Sequence, residues 1–204
     1  MISIVDYGAG NVFAFKNIFR RSGIPVQSVN SAESLSRATK IILPGVGSFD
    51  WAMRKLHQSG MIETLNDKVK NEKVPVLGVC VGMQIMAHSS EEGELPGLSW
   101  IDAQVKRFDT NKILHKTKLP HMGWNKVEIV KSTKLFKGIK DPRYYFLHSF
   151  YMETNEPSDI LGKTDYGNNF TSAIASDNVY ATQFHPEKSH ELGIQLLVNF
   201  AKLC

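Results

Sequence analysis

Short apolar runs alternate with amphipathic segments through the first half of the chain, and this alternation constrains the fold most strongly. Four of the runs are predicted to be buried strands: Ile2–Val5, Pro25–Val29, Ile41–Leu43 and Val74–Val79. The segments between them space their apolar residues as helices do: Asn11–Arg21, Ser31 to near Lys40, Ser48–Gln58 and Met61–Glu72. Strands separated by such helices predict βαβ units and a doubly wound, mostly parallel sheet.

In the second half, predicted strands follow one another through polar turns. These strands are Leu98–Phe108, Trp124–Val130, Arg143–Leu147, Tyr151–Glu153, Ile160–Thr164, Thr171–Ala175 and Val179–Phe184. Asp177-Asn178 is expected to form a two-residue hairpin turn. Helices are expected at Gly82–His88 and, closing the chain, at His190–Leu203. We therefore expect one flavodoxin-like α/β domain over residues 1–204, with antiparallel strands added to its parallel sheet.

Composition excludes several classes of protein. The 204 residues include two cysteines, Cys80 and Cys204, which argues against a disulfide framework and favours a reducing compartment. There is no apolar run long enough for a membrane span, and the first residues are predicted to be a strand rather than a secretion signal, so a cytoplasmic location is expected. Basic residues outnumber acidic ones by only 4 and are scattered, which predicts neither a nucleic acid nor a membrane as partner.

Cys80 is the leading candidate for a nucleophile. It ends a predicted strand, and Gly78 and Gly82 flank it at two residues on either side. Small residues at these positions permit the tight strand-to-helix turn of a nucleophile elbow, which exposes the thiol at the sheet edge. The following helix N-terminus favours the thiolate. An inert buried cysteine is the alternative.

His185 and Glu187 are the candidates for a base and the group that orients it. They follow the last predicted strand, and Pro186 between them holds the backbone extended or turning, so both side chains point the same way. The carboxylate can then accept from one ring nitrogen and raise the basicity of the other. Strand ends gather at one edge of such a sheet, which brings His185 towards Cys80. The alternative is a loop histidine beside a glutamate that caps the next helix.

The loop Pro44-Gly45-Val46-Gly47-Ser48-Phe49 follows another strand at the same edge. Its glycines can turn backbone N–H groups inward to form an oxyanion hole. A plain turn or a phosphate loop are alternatives, although the loop has neither phosphate-binding signature. No cofactor is predicted, and neither the histidines nor the two cysteines have the spacing of a metal site.

These motifs together resemble the class I (triad-type) glutamine amidotransferases. The matching segments are Gly78-Val79-Cys80-Val81-Gly82-Met83-Gln84, Gln183-Phe184-His185-Pro186-Glu187 and Pro44-Gly45-Val46-Gly47. Within the class, further segments are similar to the glutaminase subunits of histidine biosynthesis: Asp6–Asn11, Ser90–Gly93, Pro120–Asn125, Tyr145–Phe150 and His185–Ser189. The resemblance extends from residue 1 to the C-terminus.

The resemblance implies a Cys80-His185-Glu187 triad that releases ammonia from L-glutamine. It implies backbone oxyanion donors at Val81 and, after a peptide rearrangement, at Val46. It places Gly47, Gln84, Ser149 and Phe150 in the glutamine pocket. It places Asn11, Tyr145 and Lys188 at the interface with a separate (β/α)8 synthase subunit, in a heterodimer that is nearly inactive on glutamine without that partner.

Three other functions remain open at this stage. Leu98–Ala103 and Lys188–His190 have some similarity to relatives that supply ammonia for amidination of cell-surface sugars. A cysteine peptidase-like hydrolase on a similar sheet would need neither Gln84 nor the Gln183–Glu187 motif. A non-catalytic scaffold would be free to lose the thiol.

Overall fold

The parallel half of the sheet is built by the first half of the chain. The computed structural model describes residues 1–204, and its first strands and helices are β1 (Ile2–Val5), α1 (Val12–Arg21), β2 (Val26–Val29), α2 (Ala32–Ser36), β3 (Ile41–Gly45), α3 (Phe49–Gln58), α4 (Ile62–Asn66), β4 (Val76–Cys80) and α5 (Val81–Gln84). Strands β2, β1, β3 and β4 lie side by side in that order, all parallel. The last core strand, β13 (Val179–Thr182), pairs parallel with β4.

Antiparallel strands extend this sheet on one side. Beyond β13 come β12 (Asn169–Ser176), β10 (Phe150–Thr154), β6 (Ala103–Arg107) and the short β5 (Ser89–Ser90), while β11 (Ile160–Asp165) joins β12 to β8 (Glu128–Ile129). The predicted hairpin turn at Asp177-Asn178 is confirmed by the pairing of Ser176 with Val179. The closing helix, α6 (His190–Leu203), has the predicted limits. The predicted doubly wound α/β fold with added antiparallel strands is confirmed.

A separate two-stranded ribbon stands beside the main sheet. It consists of β7 (His121–Lys126) and β9 (Arg143–His148), paired antiparallel so that His121 faces His148 and Trp124 faces Tyr145. The chain leaves the ribbon after His148 and enters the main sheet at Phe150. Ser149 and its neighbours therefore lie at a corner between two sheets.

Several predicted boundaries were wrong for identifiable reasons. β3 does not stop at Leu43 but continues through Pro44 and Gly45, which pair with Val79 and Cys80. The proline is tolerated because β1 pairs with β3 only as far as Ile42, so no ladder hydrogen bond is lost on that side.

The helix expected at Gly82–His88 is short, and the strand expected from Leu98 starts at Ala103. The backbone N–H groups of Leu98, Ser99 and Trp100 donate instead to carbonyls of Ile85, Ala87 and Met86. This loop satisfies the carbonyls at the end of α5, so it is unavailable for strand pairing.

Three more predicted segments differ in extent. The helix expected over Met61–Glu72 is α4 followed by a π-helical turn at Asp67–Asn71. The strand expected at Trp124–Val130 is divided between β7, which begins earlier, and β8, because the Val127 N–H donates to the Pro142 carbonyl between them. The last core strand ends at Thr182, two residues before Phe184.

The core is one connected cluster of 54 buried apolar residues that covers both sheets. It includes Tyr144 and Phe146 of β9, whose rings pack against Phe184. No helix has the length and apolar character needed to cross a bilayer.

Candidate active site

Cys80 sits at a strained turn between β4 and α5. Its φ is 56° and its ψ is −114°, a backbone conformation that L-residues rarely adopt. The glycines on either side are required by close packing. A Cβ on Gly82 would lie 2.0 Å from the Leu43 carbonyl oxygen, and one on Gly78 would lie 2.7 Å from the Gly82 oxygen. The turn is the predicted nucleophile elbow in its geometry.

His185 and Glu187 lie directly after β13, on a 3-10 turn at Pro186–Lys188. The His185 Nδ1 is 2.8 Å from the Glu187 Oε1, and both side chains are only 3% exposed. The His185 N–H donates to the Tyr145 carbonyl at 2.9 Å. The hydroxyl of buried Ser189 accepts from the Tyr145 N–H and donates to the His185 carbonyl. The ring is thus fixed from the ribbon side as well as by its carboxylate.

The charge state of His185 follows from its two partners. Burial by itself lowers the pKa of the imidazole, but the nearby Cys80 sulfur and the hydrogen bond with the Glu187 carboxylate outweigh it and raise that pKa to about 10. The neighbouring carboxylate and sulfur therefore stabilise the imidazolium form of His185. An imidazolium next to a cysteine can supply a proton to a leaving group.

Cys80 and His185 open into one cavity of about 320 Å³. Nine of the residues named from the sequence line it: Val46, Gly47, Cys80, Val81, Gln84, Ser149, Phe150, His185 and Lys188. Glu187 lies behind His185, outside the lining. Asn11 caps α1, where its Oδ1 accepts from the Ala14 N–H at 3.1 Å, and Tyr145 places its ring 5.8 Å from the Lys188 Nζ.

Two buried amides are paired at the cavity, Gln84 in its lining and Gln183 behind it. The Gln84 Nε2 donates to the Phe150 carbonyl and to the Gln183 Oε1, each at 3.0 Å, and the Gln183 Nε2 lies 3.8 Å from the Cys80 Sγ. The sequence motif Gln183–Glu187 alone predicts no role for Gln183. In the structure it connects the pocket amide to the thiol.

Glu92 is the pocket residue that sequence reasoning missed most clearly. Its carboxylate is the only acidic group in the lining, and its Oε2 accepts from the Phe49 N–H at 2.8 Å. The segment Ser90–Gly93, one of those that carry the family resemblance, contains this residue and is the signal that could have found it. Pro120, Leu147 and His148 also line the cavity and were not predicted to do so.

The two backbone positions named as oxyanion donors both border the cavity. Val81 is the first residue of α5, and Val46 directly follows Gly45, which pairs with Cys80. Gly47 has a φ of 85°, in the region that favours glycine. The loop therefore lies beside the thiol with a backbone that a glycine allows to turn.

The family described as "Glutamine amidotransferase class-I" matches residues 3–203. Imidazole glycerol phosphate synthase subunit HisH of Bdellovibrio bacteriovorus is 53% identical over 204 residues, covering 100% of both chains, and the HisH subunit of Leptospira interrogans is 50% identical with the same coverage. A crystal structure of a glutamine amidotransferase shares the fold with a TM-score of 0.76 at 18% identity, covering 98% of each chain. The chain belongs to the class-I glutamine amidotransferase family, in which its full-length relatives are HisH subunits of imidazole glycerol phosphate synthase.

Proposed function

We propose that Cys80, His185 and Glu187 hydrolyse L-glutamine to glutamate and ammonia, as the glutaminase of imidazole glycerol phosphate synthase. The observation that carries this assignment is the meeting of Cys80 and His185 in one cavity, with the His185 ring held by Glu187 at 2.8 Å. The ring stands at the edge of this cavity, whose size suits a single amino acid.

The reaction proceeds in two displacements. The Cys80 thiolate attacks the side-chain amide carbon of glutamine, and the resulting oxyanion is held by the N–H groups of Val81 and Val46. His185 gives its proton to the amide nitrogen, so the C–N bond breaks and ammonia leaves a glutamyl thioester. His185 then removes a proton from water, which attacks the thioester carbon and regenerates the thiol as glutamate departs.

The cavity supplies contacts for the rest of the glutamine molecule. The Glu92 carboxylate complements the α-ammonium group of an amino acid. Gly47, Gln84, Ser149 and Phe150 surround the space between that carboxylate and Cys80. Glutamine and glutamate differ only at the reacting end, so the uncharged amide of Gln84 in the lining favours the amide over the acid.

The partner is a separate synthase subunit, which we propose to be a (β/α)8 cyclase. It receives the ammonia and uses it to form imidazole glycerol phosphate and an aminoimidazole carboxamide ribotide. Asn11, Tyr145 and Lys188 are proposed to face it in a heterodimer. The names of the full-length relatives support this pathway and do not favour the alternative of amidinating a cell-surface sugar. The two free thiols are consistent with action in the cytoplasm.

A partner-dependent oxyanion hole would explain low activity of the isolated chain. One backbone donor in such a hole contributes roughly 10²–10³ in rate. The Val46 peptide is followed by a glycine with positive φ, so it can change orientation at small cost. Reorientation on partner binding would restrict glutamine hydrolysis to the assembled enzyme.

The direct test is glutamate release from glutamine, with and without the synthase subunit. We expect release that depends on the partner and disappears in Cys80→Ala. Cys204→Ala is the matched control, because it removes the other thiol of the chain, at the end of α6. Activity retained in Cys80→Ala, or lost equally in both variants, would contradict the assignment.

Growth tests the pathway. We expect the gene to restore growth without histidine in a strain lacking its own glutaminase subunit, and Cys80→Ala to fail. Restored surface-sugar amidination without restored growth would support the alternative instead.

A further inference from the structure

Two buried histidines face each other across the ribbon next to the active-site cavity. His121 of β7 and His148 of β9 are paired in register, and the His121 Nδ1 lies 3.0 Å from the His148 Nε2. His148 lines the cavity, whereas His121 lies behind it. Neither residue has a part in the triad, so their pairing needs a separate explanation.

The hydrogen-bond partners fix where every proton of this pair lies. The His148 Nδ1 is 2.7 Å from the Phe150 carbonyl, which can only accept, so Nδ1 carries the proton and Nε2 is bare. His121 must therefore donate from Nδ1, and its own Nε2 is also bare. That nitrogen is 3.2 Å from the Asn125 Nδ2, which can only donate.

The orientation of Asn125 is itself set from outside the pair. Its Nδ2 also donates to the Asp165 carbonyl at 2.9 Å, and its Oδ1 accepts from the Lys126 N–H at 2.8 Å. Both contacts exclude the flipped amide. The hydrogen bonds therefore run in one direction, from Asn125 through His121 and His148 to the Phe150 carbonyl.

This series of hydrogen bonds ends at Phe150, in the wall of the glutamine pocket. The Phe150 carbonyl accepts from His148 and also from Gln84 Nε2, at 3.0 Å. The carbonyl of Leu147, next to His148, lies 3.8 Å from the Cys80 Sγ. The corner between the ribbon and the main sheet, where Ser149 lies, is thus held by the His148 ring.

The surroundings keep both rings uncharged. The His121 ring stacks on Tyr166 and Phe146 at centroid distances of 4.0 and 4.7 Å, and Phe108 and Phe170 pack on His148. Burial, together with the nearby His115, lowers the pKa of His121 to about 4. Burial and His121 lower the pKa of His148 to about 3. A second proton on either ring would set two donors against each other.

We propose that Asn125, His121 and His148 form a one-way hydrogen-bond chain that positions the Phe150 carbonyl and, through it, Gln84 in the glutamine pocket. They are positioning residues, and this role rests on the proposed glutaminase function of the cavity. Asn125→Asp should break this hydrogen-bond chain at its first step, because a carboxylate cannot donate to His121. His121 is then expected to carry a proton on Nε2, which disrupts the contacts further along.

The first measurement is the protonation of the two rings by nitrogen-15 NMR at neutral pH. In the unaltered chain we expect His121 and His148 each to carry a proton on Nδ1 and none on Nε2. In Asn125→Asp we expect a proton on His121 Nε2. This readout needs no glutaminase activity, so it separates failure of the proposed hydrogen-bond chain from failure of the proposed glutaminase function. A proton on Nε2 of either ring in the unaltered chain would overturn the proposal.

The second measurement is the kinetics of glutamate release at saturating synthase subunit. Loss of one buried hydrogen bond at the pocket wall should raise KM for glutamine about tenfold in Asn125→Asp, with kcat nearly unchanged because the triad is untouched. His115→Asn is the control, since exposed His115 stacks on Tyr166 in the same neighbourhood without joining the chain. A KM that matches the control, or a lower kcat and melting temperature at unchanged KM, would show a merely structural role.

Discussion

At the scale of single residues, the Glu187 carboxylate determines how His185 works. One oxygen of the carboxylate holds the ring, and the other, Oε2, is buried without a hydrogen-bond partner. A buried carboxylate with a free oxygen is costly unless it faces a positive charge. The imidazolium of His185 provides that charge, so the two groups stabilise each other.

Replacing this carboxylate by an amide tests the pairing. Glu187→Gln keeps the shape but removes the charge, and its amide can select the wrong tautomer of His185, so we expect kcat for glutamate release to fall by about 10²–10⁴. KM for glutamine should stay close to its original value. Glu191→Gln, in the first turn of α6, is the control. A fall in kcat of less than tenfold would mean that Glu187 does not act on His185.

The two uncharged histidines predict a specific response of stability to acid. An unfolded chain takes up protons on histidine near a pKa of about 6.5, whereas the folded chain resists protonation of His121 and His148 until the pH approaches about 4 and about 3. The unfolded state then binds more protons, so the free energy of unfolding falls as the pH drops below about 6.5. His185 adds no slope in this range, because its pKa is raised and its contribution is lost only at higher pH.

Urea unfolding at a series of pH values measures this effect. We expect His148→Asn to reduce the acid-side slope of the free energy of unfolding, although it lowers stability at neutral pH. His57→Asn, on the exposed side of α3, should leave the slope unchanged. Equal slopes in all three chains would place the acid sensitivity elsewhere.

At the scale of secondary-structure elements, the site depends on how closely β3 approaches the elbow. A Cβ at Gly82 meets the Leu43 carbonyl at 2.0 Å, and a Cβ at Gly45 meets the Gly82 nitrogen at 2.2 Å. Both clashes are with backbone, which cannot rotate away. The same contact places Val46 next to the elbow, in the lining of the same cavity.

Gly82→Ala is therefore expected to lower the free energy of unfolding by about 1–3 kcal/mol or more, because β3 and α5 must separate. Gly60→Ala supplies the reference. Gly60 has a φ of 69° and open space around it, so alanine there costs only backbone strain. Denaturant unfolding should show the larger loss at Gly82, accompanied by loss of glutaminase activity. Equal losses would mean that β3 and the elbow are less closely packed than the distances indicate.

The parallel strands could be predicted from the sequence because each is a continuous apolar run in a locally recognisable βαβ unit. The pairing of β7 with β9 in a separate ribbon could not, because the segment 127–142, which contains the short β8, separates the two strands. The short length of α5 was missed for a similar reason. Its end is capped by residues 98–101, whose hydrogen bonds back to the helix leave no local pattern.

The same distinction applies to the site. Cys80, His185 and Glu187 could be predicted because a strand-to-helix turn and a two-residue spacing are local signals. The structure brings these three side chains together, and their catalytic roles stay predictions. Gln183 and His148 were missed because their contacts with Gln84 and His121 depend on strand pairings far apart in sequence.

At the scale of the whole molecule, the ribbon presents two different faces. Its inner face carries Tyr144, Phe146, His148 and His121, all buried. Its outer face carries two cross-strand pairs, Met122 with Leu147 and Trp124 with Tyr145. Met122 is 63% exposed and Trp124 is 43% exposed, and Leu147 continues into the lining of the cavity. An exposed apolar face that reaches the active site is suited to covering by a partner.

This outer face is expected to provide much of the affinity for the synthase subunit. Trp124 stacks on His190 with the two rings 8° from parallel, so the side chain is held in place before binding and loses little conformational entropy on association. Large, rigid aromatic residues at the centre of an interface commonly contribute about 2 kcal/mol or more, which corresponds to roughly a thirtyfold change in affinity.

Trp124→Ala should therefore weaken binding of the synthase subunit by about that factor in titration calorimetry, and glutaminase activity should recover at saturating partner. Val130→Ala is the control. It removes another exposed apolar side chain, which directly follows β8 and is not part of the ribbon, and it should leave the affinity unchanged. If Trp124→Ala binds as tightly as the unaltered chain, the synthase subunit must dock on a different surface, and the route of ammonia from Cys80 to that subunit cannot pass along this face.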